Sequence, residues 1–337
     1  MNIIIPKKLE QGDTVGIVCP SAGLSPRAKH RFEQARVMLE KMGYKVLFGK
    51  HIISDGSYTS GSIEDRVADL HEMFTNPDVR MILTGTGGNH TNHILKYLDY
   101  QLIRNNHKIV IGSSDITVLH YALYAQAGLA SFYGPCAAGQ FGEYPVILEY
   151  TKDWFERLCV SDKMIAPVTI EASTEWTDEF LDWFQQLDRT RPRHTQKNPG
   201  YRWLQKGNAQ GKAMAGCILS MNRLAGTKYW IDPTGKILFL DILLSPGELD
   251  HTLIDSFLTD LGNIGVFEKI VGLVIGRIYG CSDEVKEKIY KQIEFLTQKK
   301  YPIVTEFDIG HTDPSVTIRY DQLVELDGDS GVIKLLD

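Results

Sequence analysis

The sequence predicts an α/β protein whose first half is a parallel sheet covered by helices. Short apolar runs alternate with segments of helical periodicity, and this alternation is typical of consecutive βαβ units. Three of the apolar runs end in loops rich in glycine and serine, at residues 20–23, 85–89 and 112–115. Because the carboxyl ends of parallel strands meet at one edge of a sheet, we expect these loops to converge on a site there.

The elements of the first half can be placed from their apolar patterns and from the residues that end them. Ser25 and Pro26 are typical of a helix start, whereas Asn76 and Pro77 are typical of a helix end. The predicted elements are strands at 13–19, 44–48, 79–84 and 109–111, with helices at 25–42, 64–74, 93–98 and from 116 onward.

The chain changes character after residue 150, and we divide it into a first domain (1–150), a middle segment (151–210) and a second domain (211–337). The middle segment is rich in tryptophan and poor in regular pattern, with one helix predicted at 177–187, which suggests a lid or linker. In the second domain the pattern predicts strands at 236–244, 270–275 and 303–304, helices at 249–261 and 283–296, and further strands within 316–336.

Composition excludes several functional classes. A net charge of −6 argues against a general nucleic-acid binder. No apolar run reaches the ~18 residues of a membrane-spanning helix, and no export signal is recognisable, so we expect a cytosolic protein. The five cysteines are scattered and form no CxxC pair, which predicts neither disulfides nor a zinc site.

Ser114 is the first candidate catalytic residue, because it lies on a turn between a buried strand and a helix. A serine there can expose its hydroxyl group beside free backbone N–H groups. The turn is not the G-x-S-x-G of the α/β-hydrolases, and a helix cap or turn role is the structural alternative. Ser113 is equally eligible on local evidence.

The glycine loop at 85–88 follows a strand and could present backbone N–H groups to an anion or oxyanion. It does not match the dinucleotide pattern G-x-G-x-x-G, because His90 occupies the last position. A purely conformational role for these glycines remains open.

A base and an acid are also available. His311 follows Gly310 where a strand passes into a loop, whereas the alternatives are His90, His93, His107 and His120. Asp241 interrupts an apolar run, and burying an isolated carboxylate costs several kcal/mol, so it should be paired or functional. Ser114, Asp241 and His311 together would supply the parts of a serine hydrolase.

Several blocks in the same order resemble the LD-carboxypeptidase family of serine peptidases (family S66), in its branch similar to microcin C immunity proteins. The resemblance covers nearly the whole chain. The blocks are VCPSAG, YLDYQLIRNNHKIVIGSSDIT, EWTDEFLDWFQQLDRTRPR, NPGYRWLQKG, GTKYW, ILFLDILLSPGELD and GHTDPSVT.

The resemblance implies a Ser-His-Glu triad, with Ser114 as nucleophile and His311 as base. The family's glutamate falls on Asp241, whose side chain is shorter by one carbon–carbon bond, roughly 1.5 Å. Gly88 and Asp115 match the positions whose N–H groups form the oxyanion hole. Two further departures are Ser113, where the family has tyrosine, and residues 318–321 behind the histidine.

The family also implies a fold and a range of substrates. The first domain would be an α/β sandwich, Rossmann-like, and the second a smaller β-rich domain with helices, in a homodimer without metal or cofactor. A lid aromatic could stack on a nucleobase, and Trp176, Trp183, Tyr201 and Trp203 are candidates, although each could equally pack the segment.

Two substrates and one rival function follow. The substrate would be a microcin C-like peptidyl- or aminoacyl-nucleotide amide or, alternatively, the terminal L,D-amide of a muropeptide. Asp241 and the histidine loop depart from the family's sequence pattern. The alternative hypothesis is therefore a binding protein that does not hydrolyse its ligand.

Overall fold

The computed structural model describes residues 2–54, 56–245, 249–298 and 300–337. Pro246, Gly247 and Glu248, which belong to the block ILFLDILLSPGELD, therefore lie outside the described residues. Among the described residues, no helix has the length and apolar character needed to cross a membrane.

The described part of the first 160 residues contains five strands and five α-helices. The strands are β1 (Thr14–Val18), β2 (Lys45–Phe48), β3 (Val79–Thr84), β4 (Ile109–Gly112) and β5 (Phe132–Tyr133). The helices are α1 (His30–Lys41), α2 (Ile63–Thr75), α3 (Tyr100–Asn105), α4 (Thr117–Ala122) and α5 (Glu149–Cys159).

The rest of the described chain is richer in strands. They are β6 (Val168–Thr169), β7 (Glu175–Trp176), β8 (Gln196–Lys197), β9 (Arg202–Gln205), β10 (Asn208–Cys217), β11 (Lys236–Asp241), β12 (Gly272–Gly276), β13 (Ile303–Phe307), β14 (Ile318–Arg319), β15 (Leu323–Asp327) and β16 (Val332–Leu335). The helices are α6 (Ile218–Asn222), α7 (His251–Asn263), α8 (Val266–Lys269) and α9 (Asp283–Thr297).

These strands form two large sheets and a two-stranded antiparallel pair. The first sheet has the order β14-β5-β4-β3-β1-β2, and its strands β1 to β5 are parallel. The second has the order β6-β16-β15-β10-β11-β12-β13-β9, with a parallel centre from β10 to β13 and antiparallel neighbours. Strands β7 and β8 pair in the middle segment. The predicted fold class, α/β with parallel sheets, is confirmed.

Strand β14 crosses between the two halves of the molecule. It follows the histidine loop in sequence, yet it pairs antiparallel with β5 at the edge of the first sheet. The loops that carry Ser114 and His311 are therefore joined to β4 and β14, which both pair with β5. The domain boundaries near residues 150 and 210 stay predictions.

The predicted helix at 93–98 is wrong. Two 3₁₀ turns, Thr91–His93 and Leu95–Tyr97, occupy this stretch instead. Leu98 is extended, and the side chain of Asp99 accepts hydrogen bonds from the first N–H groups of α3. The cap of α3 thus ends the preceding turns, because a capping residue must leave the helical conformation.

The predicted helix at 177–187 is also wrong, although its apolar spacing is helical. The carboxylate of Asp182 accepts hydrogen bonds from the N–H groups of Phe184 and Gln185, at 2.7 and 3.0 Å. Gln186 is left-handed, and Thr177 forms a β-bridge with Asp313. Side chain–backbone bonds of this kind compete with the helix, and here they replace it with turns.

Candidate active site

Ser114 lies on the sharp turn that follows β4. Its backbone is left-handed, with φ of 60°, a conformation that costs a side-chain-bearing residue about 1–2 kcal/mol. The N–H of Ser114 donates a 3.0 Å hydrogen bond to the hydroxyl oxygen of Tyr133 on β5. The turn thus places the Ser114 hydroxyl at the carboxyl end of the sheet, and the buried Tyr133 binds the backbone N–H of Ser114.

Ser114, His311 and Asp241 lie in one chain of hydrogen bonds. The Nε2 atom of His311 is 3.0 Å from Oγ of Ser114. The Nδ1 atom is 3.0 Å from Oδ1 and 2.9 Å from Oδ2 of Asp241. The neighbouring hydroxyl of Ser113 instead lies 3.5 Å from Sγ of Cys136. The structure thus brings Ser114, and not Ser113, to the histidine.

Asp241 ends β11 and is 1% exposed. The backbone of Gly310 passes so close that a Cβ at this position would lie 2.1 Å from Oδ1 of Asp241. Gly310 is also left-handed, with φ of 102°. Because glycine has no side chain there, the histidine loop can approach the acid closely, and an aspartate is long enough to reach the ring.

The surroundings of His311 favour the protonated form of its ring more than water does. Burial disfavours the charged ring, but the Asp241 carboxylate outweighs it through its charge and hydrogen bond, with a smaller contribution from Asp313. The net effect raises the pKa of His311 above its ordinary value of 6.5. A ring in this setting can accept a proton and retain it through a reaction step.

The glycine loop lies directly against the serine. A Cβ on Gly87 would lie 2.8 Å from Cβ and 2.9 Å from Oγ of Ser114. The carbonyl of Gly87 accepts a 3.2 Å hydrogen bond from the N–H of Ala22. Because the N–H of Gly88 belongs to the same peptide unit, it points away from Ala22, and among the described residues it has no acceptor.

Asp115 lies in the first turn of the helical segment that follows β4. The first N–H groups of such a segment have no acceptor within the helix, so the N–H of Asp115 is available beside Ser114. Its side chain is buried and binds loop 20–23 and the turn that follows loop 85–89. The carboxylate accepts from the Ser21 hydroxyl at 2.6 Å, from the N–H of Thr91 at 2.9 Å and from Arg223 at 2.7 Å. As predicted, loops 20–23, 85–89 and 112–115 lie together. The role of Arg223, which follows α6, was not predicted.

A cavity of about 320 Å³ opens above Ser114 and His311. Its aromatic wall consists of Phe180, Trp183 and Tyr279, and its charged lining residues besides His311 are Glu179, Arg193 and Asp313. The ring of Trp183 lies beneath the guanidinium of Arg31, with 4.4 Å from Cζ to the ring centroid. Trp183 therefore presents a fixed aromatic surface to the cavity.

The other aromatic candidates lie elsewhere. Trp176 stacks under Arg277, 4.6 Å from its Cζ atom, and does not line the cavity. Trp203 lies within β9, and Tyr201 packs on Phe307 with 4.9 Å between ring centroids. Among the aromatic residues proposed from the sequence, the structure brings Trp183 alone to the described cavity.

Buried ion pairs tie the middle segment to both sides of the cavity. Arg193 contacts Asp313 at 2.9 Å and Glu143 at 3.0 Å. On the other side, Asp188 contacts Arg31 at 3.1 Å. The sequence did not reveal these contacts, because the partners are far away in the chain.

The alternative histidines do not contact the serine. His120 packs beneath the turn, with Nε2 3.0 Å from the carbonyl oxygen of Gly112, and burial lowers its pKa to about 4. The rings of His90 and His93 contact each other at a tilt, with centroids 5.0 Å apart, and His107 lies near the Arg104 carbonyl. Within the described ranges, no group of three or more histidine, cysteine or acidic side chains could hold a metal ion.

Comparison with known proteins identifies the family. Family models of the LD-carboxypeptidase N-terminal and C-terminal domains (peptidase S66) match residues 15–134 and 210–326. A putative carboxypeptidase of Vibrio cholerae is 31% identical, with 99% of this chain and 98% of that protein covered. The chain belongs to the LD-carboxypeptidase family. As a member of it, the protein is a serine-type carboxypeptidase.

Two other relatives of this chain carry more specific names. A probable murein peptide carboxypeptidase of Bacillus subtilis is 30% identical over 93% of this chain and 88% of its own length. The microcin C7 self-immunity protein MccF of Escherichia coli is 28% identical over 99% and 96%. A solved structure of MccF in complex with aspartyl sulfamoyl adenosine superposes with a TM-score of 0.90, at 28% identity, covering 99% of this chain and 98% of that one.

Proposed function

We propose that Ser114, His311 and Asp241 form the catalytic triad of an amide hydrolase. The Oγ atom of Ser114 attacks the substrate carbonyl carbon, while Nε2 of His311 takes the serine proton. The C–N bond then breaks, and His311 returns that proton to the leaving nitrogen. Water then attacks the acyl-serine carbonyl while His311 takes a proton from it. The bond from the acyl group to Oγ of Ser114 breaks, and His311 returns the proton to Oγ. Asp241 keeps the ring in the required tautomer throughout. The observation that carries this proposal is the hydrogen-bond chain from Ser114 to Asp241.

The N–H groups of Gly88 and Asp115 would bind the oxyanion of the tetrahedral intermediate. Both belong to backbone segments next to Ser114, and the Gly88 N–H is turned away from Ala22 by the hydrogen bond that its own peptide unit makes. Fixed donors of this kind contribute about 2.7–4 kcal/mol each in serine peptidases.

For the substrate, we propose a peptidyl- or aminoacyl-nucleotide amide of the microcin C type. Support comes from Trp183, whose ring lines the cavity that contains Ser114 and His311. A base stacked on an aromatic ring gains about 1–3 kcal/mol. The resemblance to MccF, whose solved complex holds an aminoacyl sulfamoyl nucleoside, extends over the middle segment that carries Trp183.

A muropeptide with a terminal L,D-amide is the second candidate, because the Bacillus subtilis relative is named a probable murein peptide carboxypeptidase. The cytosolic location and the homodimer stay predictions.

The experiment that tests the function is incubation of the purified protein with both substrates. One sample contains an aminoacyl-adenosine amide, the other a muropeptide tetrapeptide, and products are followed by mass spectrometry. Ser114→Ala serves as the control in both. Cleavage of the nucleotide amide by the wild type supports the first substrate, and cleavage of the muropeptide supports the second. If the wild type cleaves neither, both substrate proposals fail.

A further inference from the structure

The hydroxyl group of Tyr133 lies between the acid and the nucleophile. Its oxygen is 2.5 Å from Oδ2 of Asp241, and it accepts a 3.0 Å hydrogen bond from the N–H of Ser114. An ionised carboxylate only accepts and an N–H only donates, so the phenol proton must point at Asp241. One hydroxyl group therefore contacts both residues at once.

The fold places Tyr133 at the junction of the two halves of the site. On β5 it pairs with Gly112 of β4, just before the nucleophile turn, and with Ile318 of β14, just after the histidine loop. Its side chain is fully buried and is not among the residues that line the cavity. Tyr133 can therefore influence the site without touching the substrate.

We propose that Tyr133 is a positioning residue, which orients the Asp241 carboxylate toward His311 and holds Ser114 in its left-handed conformation. The inference rests on the triad proposed above. The Tyr133 hydroxyl gives Oδ2 of Asp241 a partner besides His311, and it accepts from the N–H of Ser114, whose backbone is held at φ of 60°. Groups held in this way are pre-organised for reaction.

The hydroxyl remains a donor at every pH at which the protein would work. Burial, and then the neighbouring Asp241 charge, raise the pKa of Tyr133 well above its ordinary value of 10. The contact to Asp241 is thus constant while His311 titrates.

The test is the rate at which a fluorophosphonate labels Ser114, measured across pH for Tyr133→Phe and two matched controls. Tyr121→Phe removes a fully buried hydroxyl that has no hydrogen-bond partner among the described residues. Tyr320→Phe removes a fully buried hydroxyl that donates to the carbonyl of Ala215 at 2.5 Å. The second control measures the effect of losing a buried hydrogen bond away from the triad.

Tyr133→Phe should label about 10- to 100-fold more slowly, since small misplacements of reacting groups have effects of this size. The hydrogen bond to His311 still holds Asp241 against the ring in this variant. Its acid limb should therefore move to higher pH, because a carboxylate without the tyrosine bond stabilises the imidazolium more strongly. Both controls should behave as the wild type. Labelling of Tyr133→Phe at the wild-type rate overturns the inference. So does an equal loss of labelling rate in Tyr320→Phe, if the acid limb of Tyr133→Phe does not move.

A second measurement separates this inference from the proposed function. The pKa of His311, followed by NMR of its ring nitrogens, should rise in Tyr133→Phe and stay unchanged in Tyr121→Phe. If wild-type Ser114 is never labelled, the triad proposal fails, whereas an unchanged His311 pKa refutes the role of Tyr133 alone. If Tyr133→Phe does not fold, a ring-fluorinated tyrosine at position 133 retains the hydroxyl as a stronger donor. It should then lower the His311 pKa, and no shift would refute the inference.

Discussion

The Nε2 atom of His311 lies 3.0 Å from Oγ of Ser114, although 197 positions separate the two residues in the chain. The turn after β4 carries the serine, and the loop between β13 and β14 carries the histidine. Because β14 pairs with β5 and β5 pairs with β4, the first sheet itself holds the two loops in register. The order of β4, β5 and β14 in the sheet thus brings His311 next to Ser114.

The fall of kcat/KM at low pH should reflect protonation of His311. The ring must be neutral to take the serine proton, and its pKa is raised above the ordinary value of 6.5. We therefore expect kcat/KM to fall as pH decreases through a value above 6.5, since kcat/KM reports groups of the free enzyme. A profile that remains flat well below pH 6.5 contradicts the assignment of His311 as base.

Asp241 should tolerate neither loss of charge nor added length. Asp241→Asn keeps the shape but stabilises the wrong ring tautomer, and a drop in kcat of about 10⁴-fold is expected. Asp241→Glu restores the family's residue, yet the acid already packs against Gly310 and Tyr133, so the longer side chain should lower kcat as well. Steady-state kinetics with a cleaved substrate measure both, and a glutamate variant faster than the wild type would refute this packing argument.

The glycine at position 88 should be needed for its N–H. Its φ is 139°, and a Cβ there would lie 2.6 Å from Oγ of Ser21, so Gly88→Ala must displace the loop. We expect kcat to fall by about 10²–10³-fold, as for loss of one oxyanion donor. Gly226→Ala is the control, because Gly226 is also left-handed, with φ of 74°, but has open space around it. Equal losses in the two variants would indicate backbone strain and not a lost donor.

Trp183 should contribute to binding of a nucleotide substrate. Trp183→Ala removes the aromatic wall of the cavity and should raise KM by about 5- to 150-fold, which corresponds to ~1–3 kcal/mol of lost stacking. Trp176→Ala, which changes a ring outside the cavity, should leave KM near the wild-type value. Kinetics with an aminoacyl-adenosine amide compare the two, and an unchanged KM in Trp183→Ala would argue for the muropeptide.

Arg193 should stabilise the packing of the middle segment against Glu143 and Asp313. Arg193→Met removes the 2.9 Å partner of the buried Asp313 carboxylate and the 3.0 Å partner of Glu143, which keeps Arg31 at 3.6 Å. Loss of one member of a buried pair costs roughly 3–5 kcal/mol of unfolding free energy. Arg191→Met is the control, because Arg191 pairs with Glu179 at the surface, where pairs contribute ~0–1 kcal/mol. Urea unfolding of both variants should show this contrast, and equal stabilities would contradict it.

The sequence could predict which loops form the site but not how their side chains pair. Buried strands such as β4 are evident from uninterrupted apolar runs, and the loops at their ends follow from the rule for parallel sheets. The choice of Ser114 over Ser113 came from the family resemblance, because both serines share the same local pattern. Tyr133 and Arg193 could not be found, since their hydrogen bonds to Asp241 and Asp313 join positions more than a hundred residues apart. Periodicity misled at 177–187, where Asp182 bonds to the backbone and ends any helix.

The most direct measurement of the central claim is the position of a covalent fluorophosphonate adduct, found by peptide mapping and mass spectrometry. The wild type and Ser113→Ala should both carry the adduct on Ser114, because Ser113 faces Cys136 and not His311. Ser114→Ala should carry none, and His311→Ala should label far more slowly. An adduct on another residue, or equal labelling of the wild type and Ser114→Ala, would contradict the assignment of Ser114 as nucleophile.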